Sequence, residues 1–287
     1  MKTSTEIGSI ANIVGEEKAV ELCARAGFDA WDFSMLKMVN FNWKNRCVLE
    51  SDYPLAGGNY LSFARKLKKI GLDNGIVCNQ SHAPFPVNCK QIRDVLKRAV
   101  ECTAEAGGSI CVVHPDNNAS PEENAIMYRE LVEFSKGYGV KIATENMWNW
   151  DKEKNQSSFA ACMTPKSFCD HVDAVGSEYM VACVDIGHAE MRGSNTSAAE
   201  FIKALGSRVA ALHLHDNDKW HDSHALPFSM DIEFEPIIKT LKEINYGGYF
   251  TLEATAVMKN YTTENALDGV KLLFESARRL AKMYDAL

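Results

Sequence analysis

A single (β/α)8 barrel is the fold this sequence predicts, and three observations predict it. Eight strand-like runs alternate with helix-length stretches from one end of the chain to the other. Six successive runs close on a residue able to bind a metal: GIVCNQSH at His82, SICVVH at His114, VKIATE at Glu145, YMVACVD at Asp185, VAALH at His213 and YFTLE at Glu253. No G-x-G-x-x-G or G-x-x-x-x-G-K-S/T follows any run, so the competing doubly wound nucleotide-binding sheet lacks its usual fingerprint. In a closed barrel of parallel strands the carboxyl ends share one mouth, where such residues would converge.

The alternation can be followed element by element. TSTEIGSI (3–10) reads as the first strand. GEEKAVELCARAGF follows as an amphipathic helix with Val20, Cys23 and Ala24 on one face and Gly27 near its C-cap. FDAWDFS (28–34) is the second strand, and a long loop from Met35 to Asn59 carries Trp43, Tyr53 and Pro54. The helix YLSFARKLKKIG leads to the third strand and His82, and QIRDVLKRAVECTAEAG leads to the fourth and His114. Pro121-Glu122-Glu123 gives the next helix an N-terminal proline and an acidic first turn, ahead of strand five. Thr164-Pro165 opens the helix before strand six in the same manner. SAAEFIKALG and VAALHLHD supply the seventh pair, DIEFEPIIKTLKEINYGG and YFTLEA the eighth, and a long last helix begins near Thr262.

Composition bounds the function. The chain has 287 residues, 46% hydrophobic, with no linker or low-complexity run, so one domain over residues 1–287 is expected. Its apolar runs are strand length, and the N-terminus has no signal-like apolar core, which predicts a cytoplasmic protein without membrane contact. Nine cysteines without a C-x-x-C pair read as reduced thiols, several inside strands as small hydrophobes. A net charge of −7 weighs against life on a polyanion.

The chemistry sits at the strand ends. Glu145, Asp185, His213 and Glu253 end strands five to eight and form an oxygen-rich set suited to Mn²⁺, with Mg²⁺, Co²⁺ or Zn²⁺ as alternatives. Three carboxylates buried together would repel one another without a cation. Asp185 belongs to VDIGH, which brings His188 three residues on as a metal or substrate contact. His82 and His114 are each followed closely by proline, which stops the strand and starts a mouth loop. They read equally as ligands or as pocket walls. Asp222 and His224, in the loop after strand seven, could complete a second metal site. Phe85, Trp148 and Trp150 suit the walls of a small pocket. His215 and His221 read as supporting or surface residues and His171 as structural. No G-x-S-x-G elbow supports covalent serine catalysis.

HAPF, VVHP, the Glu-Asn after strand five, V-D-x-G-H, H-L-x-D, D-x-H-x-x-P and L-E-A, in that order, resemble the xylose-isomerase-like barrel superfamily. That superfamily holds sugar isomerases and epimerases and, as a relative, the endonuclease IV repair enzymes. The epimerase branch implies one divalent metal on Glu145, Asp185, His213 and Glu253. It implies that Glu145 and Glu253 act as acid and base on opposite faces of the sugar, with His188 on substrate oxygens. The arginine usual after the strand-seven histidine is replaced by Lys219, a candidate pocket residue. The endonuclease branch implies a three-zinc cluster whose nine ligands find candidates in His82, His114, Glu145, Asp185, His188, His213, Asp222, His224 and Glu253.

The function expected is therefore a metal-dependent isomerase or epimerase of a sugar or polyol-derived ketone, working through an enediolate. The alternative is an abasic-site phosphodiesterase. A free sugar or polyol is the expected partner, nucleic acid is disfavoured, and a homo-oligomer is compatible with the chain.

Overall fold

The computed structural model describes residues 1–89 and 91–287. Twelve strands and ten helices follow in the order β1 (Lys2–Thr5), α1 (Gly8–Val14), α2 (Glu16–Ala26), β2 (Ala30–Ser34), β3 (Asn40–Asn42), β4 (Cys47–Leu49), α3 (Tyr60–Asp73), β5 (Val77–His82), α4 (Ile92–Ala106), β6 (Ile110–Val112), α5 (Pro121–Lys136), β7 (Lys141–Glu145), β8 (Asn149–Asp151), β9 (Gln156–Ser158), α6 (Pro165–Asp173), β10 (Met180–Asp185), α7 (Ile186–Glu190), α8 (Ala198–Leu205), β11 (Val209–His213), α9 (Phe234–Glu243), β12 (Tyr249–Leu252) and α10 (Ala266–Asp285). The architecture is α/β. Six strands form a parallel sheet in the order β11-β10-β7-β6-β5-β2, and β1 pairs with β12. Isolated parallel bridges join the two sheets at both seams, Glu6 with Asp32 and Leu214 with Leu252. Backbone bonds reinforce them, from Ile7 N to Asp32 O at 3.1 Å and from Glu253 N to Leu214 O at 3.0 Å.

Local chemistry sets the element ends. Gly27 closes α2 with φ 109°, its N–H donating to the carbonyls of Ala24 and Cys23, a conformation that only glycine adopts without strain. Ser120 and Glu123 form a capping box at the start of α5, just before its Pro121. Asp185 ends β10 and caps α7, accepting from His188 N at 2.7 Å. That turn is what carries both side chains of VDIGH toward the same mouth.

Three expectations are corrected. The first strand stops at Thr5, because the Glu6 carboxylate accepts from Ser9 N at 3.1 Å and the chain turns into α1 at Gly8. The fourth strand ends at Val112, so His114 stands on the loop beyond it. The segment after the second strand contains the antiparallel hairpin β3–β4, and a second hairpin, β8–β9, follows Glu145.

Strand faces divide the core. Trp31 and Phe33 of β2 point outward against the helices, their rings 5.3 Å apart, within one large apolar cluster. A fully buried side chain of this size contributes about 1.5–3 kcal/mol. The space between the strands has two halves. On β6, β7, β10 and β11 it holds Val112, Ala143, Val181, Cys183 and Ala211. On β1, β5, β12 and β2 it holds a buried polar ladder. Ser4 Oγ donates to Asn79 Oδ1 at 2.6 Å, Asn79 Nδ2 to Thr251 Oγ1 and to Gln80 Oε1 at 3.1 Å, and Gln80 Nε2 to Asp32 Oδ2 at 3.0 Å. Among the described residues no helix is long and apolar enough to cross a membrane.

Candidate metal centre and substrate cavity

The carboxyl ends of the parallel strands open into a cavity of about 500 Å³. Glu145 and Glu253 form its floor, with Asp185 and His213 grouped behind them. Ligand atoms of Glu145, Asp185, His213 and Glu253 all lie within 4.8 Å of one another. His213 Nδ1 stands 3.3 Å from Glu145 Oε2 and 3.4 Å from Glu253 Oε2. Glu145, Asp185 and His213 are buried, and Glu253 is nearly so.

The other five candidates surround this floor in two groups. His82 and His114 meet Glu145 Oε2 at 3.7 and 3.5 Å, with their Nε2 atoms 3.0 Å apart. His188, Asp222 and His224 form the second group together with His215. Asp222 Oδ2 lies 3.3 Å from His188 Nε2 and 3.1 Å from His224 Nε2. Backbone carbonyls fix three ring orientations: His82 Nδ1 donates to Ala83 O at 3.0 Å, His188 Nδ1 to Asn146 O at 2.9 Å and His224 Nδ1 to Glu253 O at 2.8 Å. Each ring is thereby left with Nε2 facing the cavity.

A cation fits the arrangement on two grounds. First, Glu145 Oε2, Asp185 Oδ2, Asp222 Oδ1 and both nitrogens of His213 are buried without a hydrogen-bond partner. Native interiors rarely leave such atoms unpaired. Second, the donor set mixes carboxylate oxygen with imidazole nitrogen, which suits a divalent first-row ion. Glu145, Asp185, His213 and Glu253 are the ones that would hold it.

Without an ion, protons take over the charge balance. Burial works to raise the Glu145 carboxyl, but the imidazoles of His213, His114 and His82 hold it well below its usual range. Burial likewise opposes protonation of His213 and His188, yet the surrounding carboxylates push both well above the ordinary imidazole value. His224 shows the same balance: burial lowers it, and Asp222 and Glu253 carry it up to about 10. Glu6, at the end of β1, is pushed up to about 7, chiefly by burial and further by Glu253.

A pH dependence follows from these signs. The pairing of His224 contributes stability that is fully present below its ordinary 6.5 and is lost as pH rises through about 10. Asp185 and Glu145, held low, contribute stability present above their ordinary values of 3.8 and 4.5 and lost as pH falls through the lowered ones. Metal-free protein is therefore expected to melt highest between about pH 4.5 and 6.5, as far as this cluster decides. A divalent ion must displace the His213 proton, so Mn²⁺ affinity should rise as pH climbs above the ordinary imidazole value of 6.5. Competition titrations against a chelating dye at stepped pH check this, and a flat profile would count against the assigned ligands.

The cavity walls include Phe85, Trp148 and, from the β3–β4 hairpin, Trp43. No lysine or arginine is among the described lining residues. Lys219, expected in the pocket, does not line the cavity. It adopts φ 61° in the loop after β11, its N–H donating to Asn217 Oδ1 at 2.8 Å, and its charge acts on Glu190. Trp150 also misses the cavity and stacks near His221 on the outer rim. His171 is buried on α6, with its Nδ1 2.7 Å from Ser167 O.

Two residues, Gly187 and Asn146, had no assigned place in the site on the sequence alone, and a third, His215, read only as a supporting or surface residue. His215 is fully buried, 3.1 Å by Nε2 from Asp185 Oδ1 and stacked on His224 at 4.2 Å. Gly187 makes room for it, since a Cβ there would overlap the His215 ring. Asn146 clamps the backbone of Asp185, accepting from its N–H at 2.9 Å and donating to its carbonyl at 2.8 Å. The alternation His213-Leu214-His215 was the available signal, since residues two apart along a strand share a face.

Comparison with known proteins places this geometry in a family. The uncharacterized protein MJ1311 of Methanocaldococcus jannaschii is 30% identical, the match covering 76% of this chain and 89% of that protein. Among solved structures, a D-tagatose 3-epimerase-like protein superposes with a TM-score of 0.68 at 23% identity, over 98% of this chain and 99% of that one. The 3-keto-D-glucoside 4-epimerase YcjR of E. coli gives 0.68 at 13% identity, over 98% and 99%. These similarities extend over nearly the whole fold. Residues 20–279 match the model of the xylose isomerase-like TIM barrel, and the chain belongs to that family.

Proposed function

We propose that the protein is a divalent-metal-dependent isomerase or epimerase of a sugar or polyol-derived ketone, acting in the cytoplasm as one closed (β/α)8 domain over residues 1–287. The observation that carries this reading is the placement of two carboxylates, Glu145 and Glu253, about one histidine nitrogen on the floor of a sugar-sized cavity, at 3.3 and 3.4 Å. Glu145, Asp185, His213 and Glu253 would hold the ion, Mn²⁺ before Mg²⁺, Co²⁺ or Zn²⁺. Bound there, it supplies Lewis acidity that polarises a ketone and stabilises the enediolate of the substrate. Glu145 or Glu253 takes the proton from the carbon beside the carbonyl, and the same or the other glutamate returns it. One glutamate working alone gives isomerisation; two on opposite faces give epimerisation. His188 and His224 offer Nε2 to hydroxyl oxygens, while Phe85, Trp148 and Trp43 cover apolar ring edges. The structural neighbours named above are an epimerase and an epimerase-like protein, which accords with this chemistry. A cavity without lysine or arginine among its described lining residues favours a substrate without phosphate.

One observation favours a second reading. The nine candidates fall into three ligand groups, His82–His114–Glu145, Glu145–Asp185–His213–Glu253 and His188–Asp222–His224, as a three-zinc phosphodiesterase of the endonuclease IV type would need. Binding a DNA backbone, however, calls for lysine and arginine around the mouth. The deciding experiment incubates the Mn²⁺-loaded protein with a panel of ketoses and inososes in D₂O. Loss of a single C–H signal next to a carbonyl is expected for at least one of them. No exchange, together with incision of abasic duplex by zinc-loaded protein, would replace the first reading by the second.

A further inference from the structure

Resting on the metal-dependent reading, we infer that Asp32 is a positioning residue for the metal centre: it accepts from His213 Nε2–H and so fixes the tautomer whose Nδ1 faces Glu145 and Glu253. Asp32 lies on β2, between Trp31 and Phe33, and is fully buried. The pairing of β2 with β5 shifts register between Trp31 and Asp32, an irregularity of the kind that re-aims a side chain. Its carboxylate is thereby brought beneath the floor, with Oδ2 3.4 Å from His213 Nε2.

The distance is that of an ion pair, and the alignment falls short of a hydrogen bond, since His213 Nε2 and Asp32 Oδ1 both stay unpaired. No other group is assigned to either atom among the described residues. His213 therefore has one ring nitrogen aimed at two carboxylates above and the other aimed at one carboxylate below. A histidine that binds a metal through one nitrogen gives its other N–H to an oxygen, which sets the ring's orientation and raises its basicity. Asp32 is the oxygen available.

The anchoring points the same way. Gln80 Nε2 donates to Asp32 Oδ2 at 3.0 Å, and Gln80 Oε1 is held by Asn79 and Thr251. The polar ladder thus ends on the carboxylate beside His213 Nε2. As a purely structural device Asp32 is poor. A buried carboxylate with an unpaired oxygen opposes folding, and an amide of the same shape would serve the ladder as well. What an amide could not supply is the negative charge that faces His213 Nε2.

The test separates the two roles. Mn²⁺ affinity is measured by competition with a fluorescent chelator for the wild type, Asp32→Asn and Gln80→Met, alongside thermal melts of each metal-free protein. Asp32→Asn is expected to weaken Mn²⁺ binding about 10–100-fold while melting no lower than the wild type. Gln80→Met, which frees the carboxylate without removing it, should weaken binding by a smaller factor. Wild-type affinity in both variants would overturn the role of Asp32 and leave the metal reading standing. Asp32→Asn with a much lower melting temperature, and Gln80→Met with unchanged affinity, would make Asp32 a structural residue only. Failure of the wild type to bind Mn²⁺ or Zn²⁺ would sink the metal reading, and this inference with it.

Discussion

Glu253→Gln is expected to keep the fold and to reduce turnover by about 10²–10⁴-fold, the usual loss on removing an essential acid or base. The change is nearly isosteric, and the side chain is mostly buried at the end of β12, so the packing has no reason to alter. What changes is charge. Glu253 raises His82, His213, His224 and Glu6 through its field. With glutamine in its place, protons leave those imidazoles at lower pH, and the crowd of carboxylates loses one member. The metal-free variant should therefore melt no lower than the wild type at neutral pH, while kcat on the substrate found by deuterium exchange collapses. Circular dichroism melts and single-turnover rates check the two halves separately. Activity within tenfold of the wild type would remove Glu253 from the proton-transfer role.

The second large effect is expected at a residue without a side chain. In Gly187→Ala the new Cβ would overlap the His215 ring, which has little freedom to withdraw because His224 is stacked against it at 4.2 Å. Overpacking of this kind costs about 1–3 kcal/mol. At about 2–4 °C per kcal/mol for chains of this order of size, the melting temperature should fall by several degrees. The functional consequence is larger than the structural one. His215 Nε2 holds Asp185 Oδ1 at 3.1 Å, and displacing it frees a carboxylate of the proposed ligand set. Loss of such support lowers metal affinity by about 10–100-fold. Melts with and without Mn²⁺ measure both effects. An alanine variant whose Mn²⁺-induced rise in melting temperature equals that of the wild type would show that His215 does not hold Asp185 in place.

The first of these residues was legible in the sequence and the second was not, for a physical reason. Glu145, Asp185, His213 and Glu253 terminate runs whose apolar character and length mark them as parallel strands, and chain order alone brings such ends together. His82 carried the same signal. His114 did so less cleanly, because its strand stops two residues earlier. What supports the proposed ligands is written in residues that look ordinary in one dimension: Asp32 amid aromatics, Gln80 between an asparagine and a serine, Gly187 between an isoleucine and a histidine. Their meaning depends on the register between strands, which no single segment carries. The misplacement of Lys219 has a similar cause. Position after a strand fixes the loop a residue belongs to, but the turn around Asn217 decides where its side chain goes. The two hairpins were also hidden, since three-residue strands leave almost no alternation to read.

The polar ladder has a consequence for how the molecule resists opening. The pair β1–β12 joins segments some 247 residues apart, a contact whose formation carries a large loop-closure cost. Its flanks are held at each seam by a single isolated bridge and a few backbone bonds. Inside, however, Ser4 and Thr251 of that pair grip Asn79 and Gln80 of the larger sheet, and Glu253 leans over His213 from across the seam. An ion held by Glu145, Asp185, His213 and Glu253 would rivet the two sheets at the point where they are most thinly sewn. Loading would then show in backbone amides far from any ligand, as slower hydrogen exchange along residues 2–5, and the reaction centre would double as the clasp of the barrel.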